Sequence, residues 1–511
     1  MATFEPPEAF NIADHFLVER LREGRGDRVA VRADDRSLTY AQVDGLANRT
    51  GNALRDLGVR QEERVLIALP DGPAFIGALF DTLKLGAVAV PVNAELPVDN
   101  LSAVIGYSRP PVVVVSPAVE ETFRVAAAEA GRDLQLLVID ADAPAASDAL
   151  ETVPTHRDDP AIWLFSGGTT GRPKAVLQTH RAFANTTELY GKDTLGYRED
   201  DITISVPKLF FGYALGSNVL FPFSVGASTV LFEGRPTAEA LFAHIRKHRA
   251  TILINVPKLI KEMLDHPDAA AQDLSSLRFA TSAGEALPPP LYDRWKSVFG
   301  VELLDGLGTA EMWHVFLTNR PGDVKPGSLG KAVGGFDVRV RDNDGNDLPD
   351  GEVGRLWVRG NSRAIAYWQD MPKTTEAFRG EWFAAGDLVR RDADGYFFYV
   401  GRSDDAVKVG GKWLLPAEVE GCLIGHPSVV EVAVVGAPDP DGLTKPVAFV
   451  VVASDPGEDI EAEIIEHALA NLEPYKRPRR VVVVDTLPRT HLGKVNRGAL
   501  RTEATQALRE G

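Results

Sequence analysis

Ser166-Gly167-Gly168-Thr169-Thr170-Gly171-Arg172-Pro173-Lys174 lies between two apolar runs, Ala161–Phe165 and Ala175–Thr179. Both runs have the length and composition of strands, the first of a buried one. The three glycines permit positive φ and let successive backbone N–H groups face one anion. Ser166, Thr169 and Thr170 add hydroxyl donors, and Lys174 adds a positive charge. Such a loop is a cradle for a polyphosphate. It is not a Walker A loop, which ends in Gly-Lys-Ser/Thr and opens a helix. Here Arg172-Pro173 intervene and the next segment reads as strand. A flexible linker does not fit between two apolar strands.

Outward from this loop the chain alternates. Upstream, helical spacing over 40–57 leads to the strand Arg64–Leu69, the helix Ala74–Leu85 and the strand Ala87–Pro91. That order is a βαβ unit and predicts a parallel sheet. Pro111–Val115, Ala118–Ala130 and Leu134–Ile139 continue it as strand, helix and strand. Downstream, Ile202–Val206, Ser228–Phe232, Ala238–His248 and Thr251–Asn255 begin a second series. Two successive α/β lobes therefore fit residues 1 to about 330. Val338–Arg341, a turn at Asn343-Asp344-Gly345, Gly354–Val358 and Tyr396–Val400 read as a small β subdomain. After Arg402 comes a compact α+β stretch: Pro416–Leu423 and Glu461–Leu472 helical, Val429–Val435, Val447–Val452 and Val481–Asp485 extended. The 511 residues exceed the roughly 250–300 that one core serves. The expected division is 1–402, a large N-terminal domain, and 403–511, a smaller C-terminal one.

The net charge of −17 makes nucleic acid or an anionic membrane a poor partner. A polyanionic ligand must then be met by local devices such as the Gly/Thr loop. The single cysteine, Cys422, excludes an intrachain disulfide, fits a reducing compartment and reads as a small buried apolar residue. No secretory n- and h-region opens the chain, and no apolar run reaches the ~18–20 residues that span a bilayer. A cytoplasmic protein is expected.

The loop resembles the signature of the acyl-adenylate-forming superfamily, which includes acyl- and aryl-CoA ligases, nonribosomal adenylation domains and firefly luciferase. Further segments resemble family motifs in the right order over nearly the whole chain. Ser282-Ala283-Gly284-Glu285-Ala286 resembles the adenine-binding turn. Gly306-Leu307-Gly308-Thr309-Ala310-Glu311 resembles the aromatic-Gly-x-Thr-Glu motif, and Ala385-Gly386-Asp387 resembles Thr-Gly-Asp. Gly401-Arg402-Ser403-Asp404-Asp405 resembles the ribose-binding and hinge segment. Lys408-Val409-Gly410-Gly411 resembles the loop bordering the CoA tunnel, and Pro488-Arg489-Thr490 with Gly493-Lys494 the terminal lysine motif. The resemblance implies ATP, Mg²⁺ and CoA. It implies Glu311 as the protein's contact to the metal, and Lys174 and Lys494 as catalytic cations. It also implies Asp387 and Arg402 at the ribose, Gly410 and Gly411 beside the pantetheine arm, and Asp404 as the hinge of a mobile C-terminal domain. Four positions depart from the family pattern: Leu307, Ala310, Ala385 and Leu492.

The acid is addressed by two segments. Lys208-Leu209-Phe210-Phe211-Gly212-Tyr213 and Glu311-Met312-Trp313-His314 resemble benzoate-CoA ligases more than fatty acyl ligases. Phe211 and Tyr213 can stack an aromatic ring, Gly212 and Ala283 leave a thin slot, and His314 can bond a ring substituent. Lys208–Asn218 contains no Asp for an α-ammonium group, which disfavours amino acids. The expected activity is adenylation of a benzoate-like acid followed by transfer to CoA. Two alternatives stand beside it: a freestanding ligase that loads an acyl carrier protein, and a nucleotide-binding relative without turnover. A homodimer is compatible with either.

Overall fold

The computed structural model describes residues 4–34, 36–140, 144–166, 174–342, 344–409, 412–453, 459–489 and 495–509. The helix Tyr40–Asp56 opens with a capping box, in which Thr39 Oγ1 accepts from Gln42 N and Gln42 Oε1 accepts from Thr39 N. Its apolar face, Tyr40, Val43, Leu46, Ala47 and Leu54, is buried. It packs on Pro73–Lys84, where a Cβ at Gly77 would stand 2.8 Å from Leu46 Cγ, so only glycine allows that approach.

Seven strands form one sheet in the order Ala366–Tyr367, Lys174–Thr179, Pro160–Ser166, Val88–Pro91, Arg64–Ala68, Val112–Val115 and Gln135–Val138. The last five are parallel. Val112–Val115 is buried at every residue, as a strand covered on both faces must be. The other two strands are antiparallel, and Ser166 pairs with Lys174. The Gly/Thr loop thus joins two neighbouring strands whose ends lie side by side.

A second sheet has nine strands. Its parallel middle runs from Glu302–Gly308 through Phe279–Ser282, Ile252–Asn255, Ile202–Ser205 and Ser228–Val230 to Val29–Arg32. Antiparallel strands finish both edges. The sheets are not successive along the chain. Val29–Arg32 and Ser37–Thr39 belong to the second, whereas Ala366–Tyr367 returns to the first. The reason is pairing at long range: Val31 lies opposite Thr229, and Tyr367 opposite Val176. Leu164 and Val176 of one sheet and Ile254 and Leu304 of the other share a single hydrophobic core.

An antiparallel sheet of five strands follows, built from Asp337–Arg341, Val353–Arg359, Phe378–Arg379, Trp382–Arg391 and Phe397–Arg402. Its first hairpin closes through Asp342, whose carboxylate accepts from the backbone N–H of Asp344 and Asn346. Asn343 lies outside the described residues. Farther on, the three strands Val429–Pro438, Thr444–Val452 and Arg480–Val483 pack against the helices Pro416–Leu423, Ile460–Asn471 and Arg497–Ala507 through two cores of their own. A large α/β domain and a small α+β domain are the result. Cys422 sits in the helix Pro416–Leu423 and is only half-buried.

Candidate active site

Lys174 begins its strand and Glu311 lies in the one-turn helix Ala310–Met312 that follows Glu302–Gly308. Lys174 Nζ stands 3.2 Å from Glu311 Oε1. Tyr367 Oη donates to the same oxygen at 2.8 Å, and the Lys174 ammonium lies 4.2 Å from the Tyr367 ring centroid. Glu311 is 7% exposed. Burial alone would raise its pKa, but the Lys174 charge and the Tyr367 hydroxyl hold it below the usual carboxylate range. A carboxylate is therefore kept ionised inside the protein by one cation and one phenol.

The backbone around Glu311 is pinned. Gln178 Nε2 donates to Ala310 O at 2.6 Å, and Ala364 N donates to Glu311 O at 2.8 Å. Thr309 Oγ1 accepts from Met312 N at 3.3 Å, so this hydroxyl is spent on capping the turn. Trp313 then takes φ 68° and ψ −51°, and His314 N donates to Met312 O at 2.9 Å. That is a γ-turn of the rare, strained kind, here centred on a tryptophan. The fully buried indole meets Phe183 edge-on at 4.1 Å, which anchors the turn. A Cβ at Gly308 would stand 2.5 Å from His314 O, so the strand can pass the turn only as glycine.

His314 is buried among the rings of Tyr190, Tyr213, Phe221 and Trp313. Its Nε2 lies 3.0 Å from Tyr213 O and 3.2 Å from Ser217 Oγ. Since a carbonyl only accepts, Nε2 carries the proton. Burial pulls the imidazole down to about 4, so it is neutral. A Cβ at Gly216 would fall 2.5 Å from His314 Cδ2. Phe211, Gly212 and Tyr213 are half-buried, with the Tyr213 ring 5.5 Å from the imidazole, the Phe210 and Phe211 rings 4.4 Å apart and Tyr213 Oη 2.6 Å from Thr281 Oγ1. Lys208 points elsewhere: its ammonium is held by the carbonyls of Phe232, Glu233 and Gly234.

At the end of Phe279–Ser282, Ala283 is buried while Gly284, Glu285 and Ala286 are exposed. Gly284 has φ +92°, a conformation that suits glycine. Asp305, next to Ser282 in register, is buried and its carboxyl is raised by burial to about 8. Asp387 and Arg402 are opposite residues of adjacent strands, 3.2 Å apart at their charged ends. Asp404 belongs to the turn Ser403–Asp405. Gly167, Gly168, Thr169, Thr170, Gly171, Gly410, Gly411 and Lys494 lie outside the described residues. Ser166 Oγ is buried with no partner among the described residues.

The description "AMP-binding enzyme" matches residues 18–368, and "AMP-binding enzyme C-terminal domain" matches 418–494. The chain belongs to the AMP-binding enzyme family. Within this family it is 40% identical to a benzoate–CoA ligase of Thauera aromatica, over 97% of this chain and 96% of the relative. A solved anthranilate CoA ligase, AuaEII, in complex with anthranoyl-AMP matches with a TM-score of 0.92 and 38% identity, covering 98% of both chains. A benzoate CoA ligase from Burkholderia xenovorans LB400 matches with a TM-score of 0.88 and 40% identity, over 96% of this chain and all of that one. Tyr367 and Gln178 of this AMP-binding enzyme had no signal as site residues in the sequence, and of Trp313 only its place in the Glu311–His314 segment was read, not its turn. Each acts on the Glu311 segment through a contact that spacing does not encode.

Proposed function

We propose that this chain is an ATP-dependent, AMP-forming ligase that joins a benzoate-like acid to CoA. The observation that carries the reading is the Glu311–His314 segment, which places an ionised carboxylate paired with Lys174 three residues from a dry aromatic wall. The relatives named benzoate–CoA and anthranilate CoA ligases support the acid class.

A carboxylate is a poor acyl donor. Its attack on the α-phosphorus of ATP replaces an oxide with AMP and expels pyrophosphate, and CoA sulfur then displaces AMP. The protein's task is positioning and charge stabilisation. Lys174 neutralises phosphate charge at the mouth of the Ser166–Lys174 loop. Asp387 accepts from the ribose hydroxyls and Arg402 donates beside it. Gly284, Glu285, Ala286, Gly308 and Thr309 border the nucleotide. Phe211, Gly212, Tyr213, Ala283 and His314 enclose the acid's ring. Among the described residues no three His, Cys, Asp or Glu side chains converge on a metal. A single hard oxygen donor such as Glu311 suits Mg²⁺, which prefers phosphates and water for its other places. Bound there, Mg²⁺ supplies charge neutralisation to the triphosphate.

Lys494 serves adenylation, and Gly410 and Gly411 admit the pantetheine arm. The C-terminal domain, 403–511, turns about Asp404 between the two steps. Among the described residues no helix is long and apolar enough to cross a membrane. With one half-buried thiol, a cytoplasmic location fits.

The test is ATP–pyrophosphate exchange over a panel of acids, followed by thioester formation with CoA or a holo-carrier protein. Benzoate and its amino- or hydroxy-derivatives are expected to lead, with CoA as acceptor. ADP and phosphate as products, or long-chain acids ahead of benzoates, would overturn the reading.

A further inference from the structure

Tyr367 has no part in the proposed reaction so far, yet it touches both charged groups of the site. Its hydroxyl donates to Glu311 Oε1, and its ring face lies under the Lys174 ammonium. It is 6% exposed, so its hydroxyl is spent on that one carboxylate oxygen rather than on solvent. Lys174 and Tyr367 both meet Glu311 at Oε1, and among the described residues no side chain is bonded to Oε2.

The segment that carries Tyr367 is itself fixed. Tyr367 N donates to Thr374 Oγ1 at 3.1 Å. Trp368 Nε1 donates to Tyr107 O at 3.1 Å, and Tyr107 Oη donates back to Trp368 O. Trp368 also packs on Trp163 at 4.7 Å between ring centroids. Three residues earlier, Ala364 N holds the Glu311 carbonyl. One short segment therefore grips Glu311 by its backbone and by its side chain. It is anchored to the strand that begins with Lys174 and to the helix Val98–Ser108.

We infer that Tyr367 is a positioning residue for the metal-bound triphosphate: its hydroxyl fixes one Glu311 oxygen so that the other is presented to the cation. Without it, Glu311 follows Lys174 as an ordinary ion pair. When phosphate draws the ammonium away, the carboxylate then has no second restraint. The inference rests on the reading of Glu311 as the protein's contact to Mg²⁺.

The experiment is calorimetric binding of α,β-methylene-ATP to the full chain, once with Mg²⁺ and once with EDTA. The ratio of the two dissociation constants reports the metal-dependent gain and requires no turnover. Glu311→Gln is expected to collapse the ratio toward one. Tyr367→Phe is expected to lower it about tenfold, the scale of one lost hydrogen bond to a charged group, with the EDTA value unchanged. In the Glu311→Gln background Tyr367→Phe should have no further effect, as coupled groups behave. A wild-type ratio in Tyr367→Phe beside a collapsed one in Glu311→Gln overturns the role of Tyr367 alone. A Tyr367→Phe loss that appears equally in EDTA or persists undiminished in the Glu311→Gln background is a packing effect and also overturns it. A wild-type ratio in Glu311→Gln itself removes the metal reading, and the inference with it.

Discussion

Glu311 and His314 are three residues apart and both buried, yet their surroundings are opposite. Around Glu311 the partners are an ammonium and a phenol, and the group is held charged. Around His314 the partners are four aromatic rings and a carbonyl, and the group is held neutral. The strained turn at Trp313 makes the division, because it reverses the chain within one residue. Electrostatic work and steric work are thereby done by neighbours in sequence without sharing space. A buried aromatic wall beside the charged end also lowers the local dielectric, which strengthens each interaction there.

The contrast can be broken at either end. Glu311→Gln removes the charge and keeps the shape. Pyrophosphate exchange should fall on the order of 10²–10³, as for loss of a charge-stabilising contact, while KM for benzoate stays within about twofold. A parallel rise in KM would mean that the two ends are not separable.

Gly216→Ala acts on the other end, since its Cβ would press on the His314 ring. Overpacking of this kind costs about 1–3 kcal/mol, so kcat/KM for benzoate should fall about ten- to a hundredfold. Nucleotide affinity with Mg²⁺ should not change. If it does, the turn transmits the strain.

The pH dependence of stability sharpens the comparison with a smaller effect. His314 titrates near 4 in the folded chain and near 6.5 when unfolded, so the unfolded state binds more protons between them. Its contribution to stability is lost as pH falls from about 6.5 to about 4. Buried His15 and His180 act with the same sign. Asp305, raised to about 8 by burial, acts oppositely: the folded state binds the extra proton, and stability is lost as pH rises toward 8. Asp305→Asn should therefore gain on the wild type between pH 5 and pH 8, by roughly 2–4 °C in melting temperature. A gap that is constant or shrinks with pH would exclude an Asp305 proton.

What was legible in the sequence is what neighbours decide. The helix Ala238–His248 agrees to the residue because Thr237 caps it and its apolar residues repeat at helical spacing. The helix Val98–Ser108 has the same periodicity in Leu101, Val104, Ile105 and Ser108 but opens after Pro97 without a hydroxyl cap, and it was not expected. The charged residues Lys174, Glu311, Asp387 and Arg402 were legible through motifs, and two pairs of them meet in space. The sheet order was not legible, since Val31–Thr229 and Tyr367–Val176 pair across nearly 200 residues each. Nor was Tyr367, whose partner Glu311 is 56 residues away, or the turn at Trp313, where a bulky residue adopts a backbone form that composition disfavours.

The interleaved sheets set an order of events during synthesis. Val29–Arg32 waits for Ser228–Val230, its neighbour in the sheet, which leaves the ribosome nearly 200 residues later. At about 5–20 residues per second that is a delay of roughly ten to forty seconds, during which only its other edge has a partner, the neighbouring strand Ser37–Thr39. The seven-stranded sheet can assemble most of its parallel core from residues 64–166 in the meantime, but Ala366–Tyr367 reaches its edge last. The hydroxyl that holds Glu311 is thus among the final contacts of the large domain to form, so a nascent chain acquires most of its folded scaffold before the Glu311 carboxylate gains its second restraint.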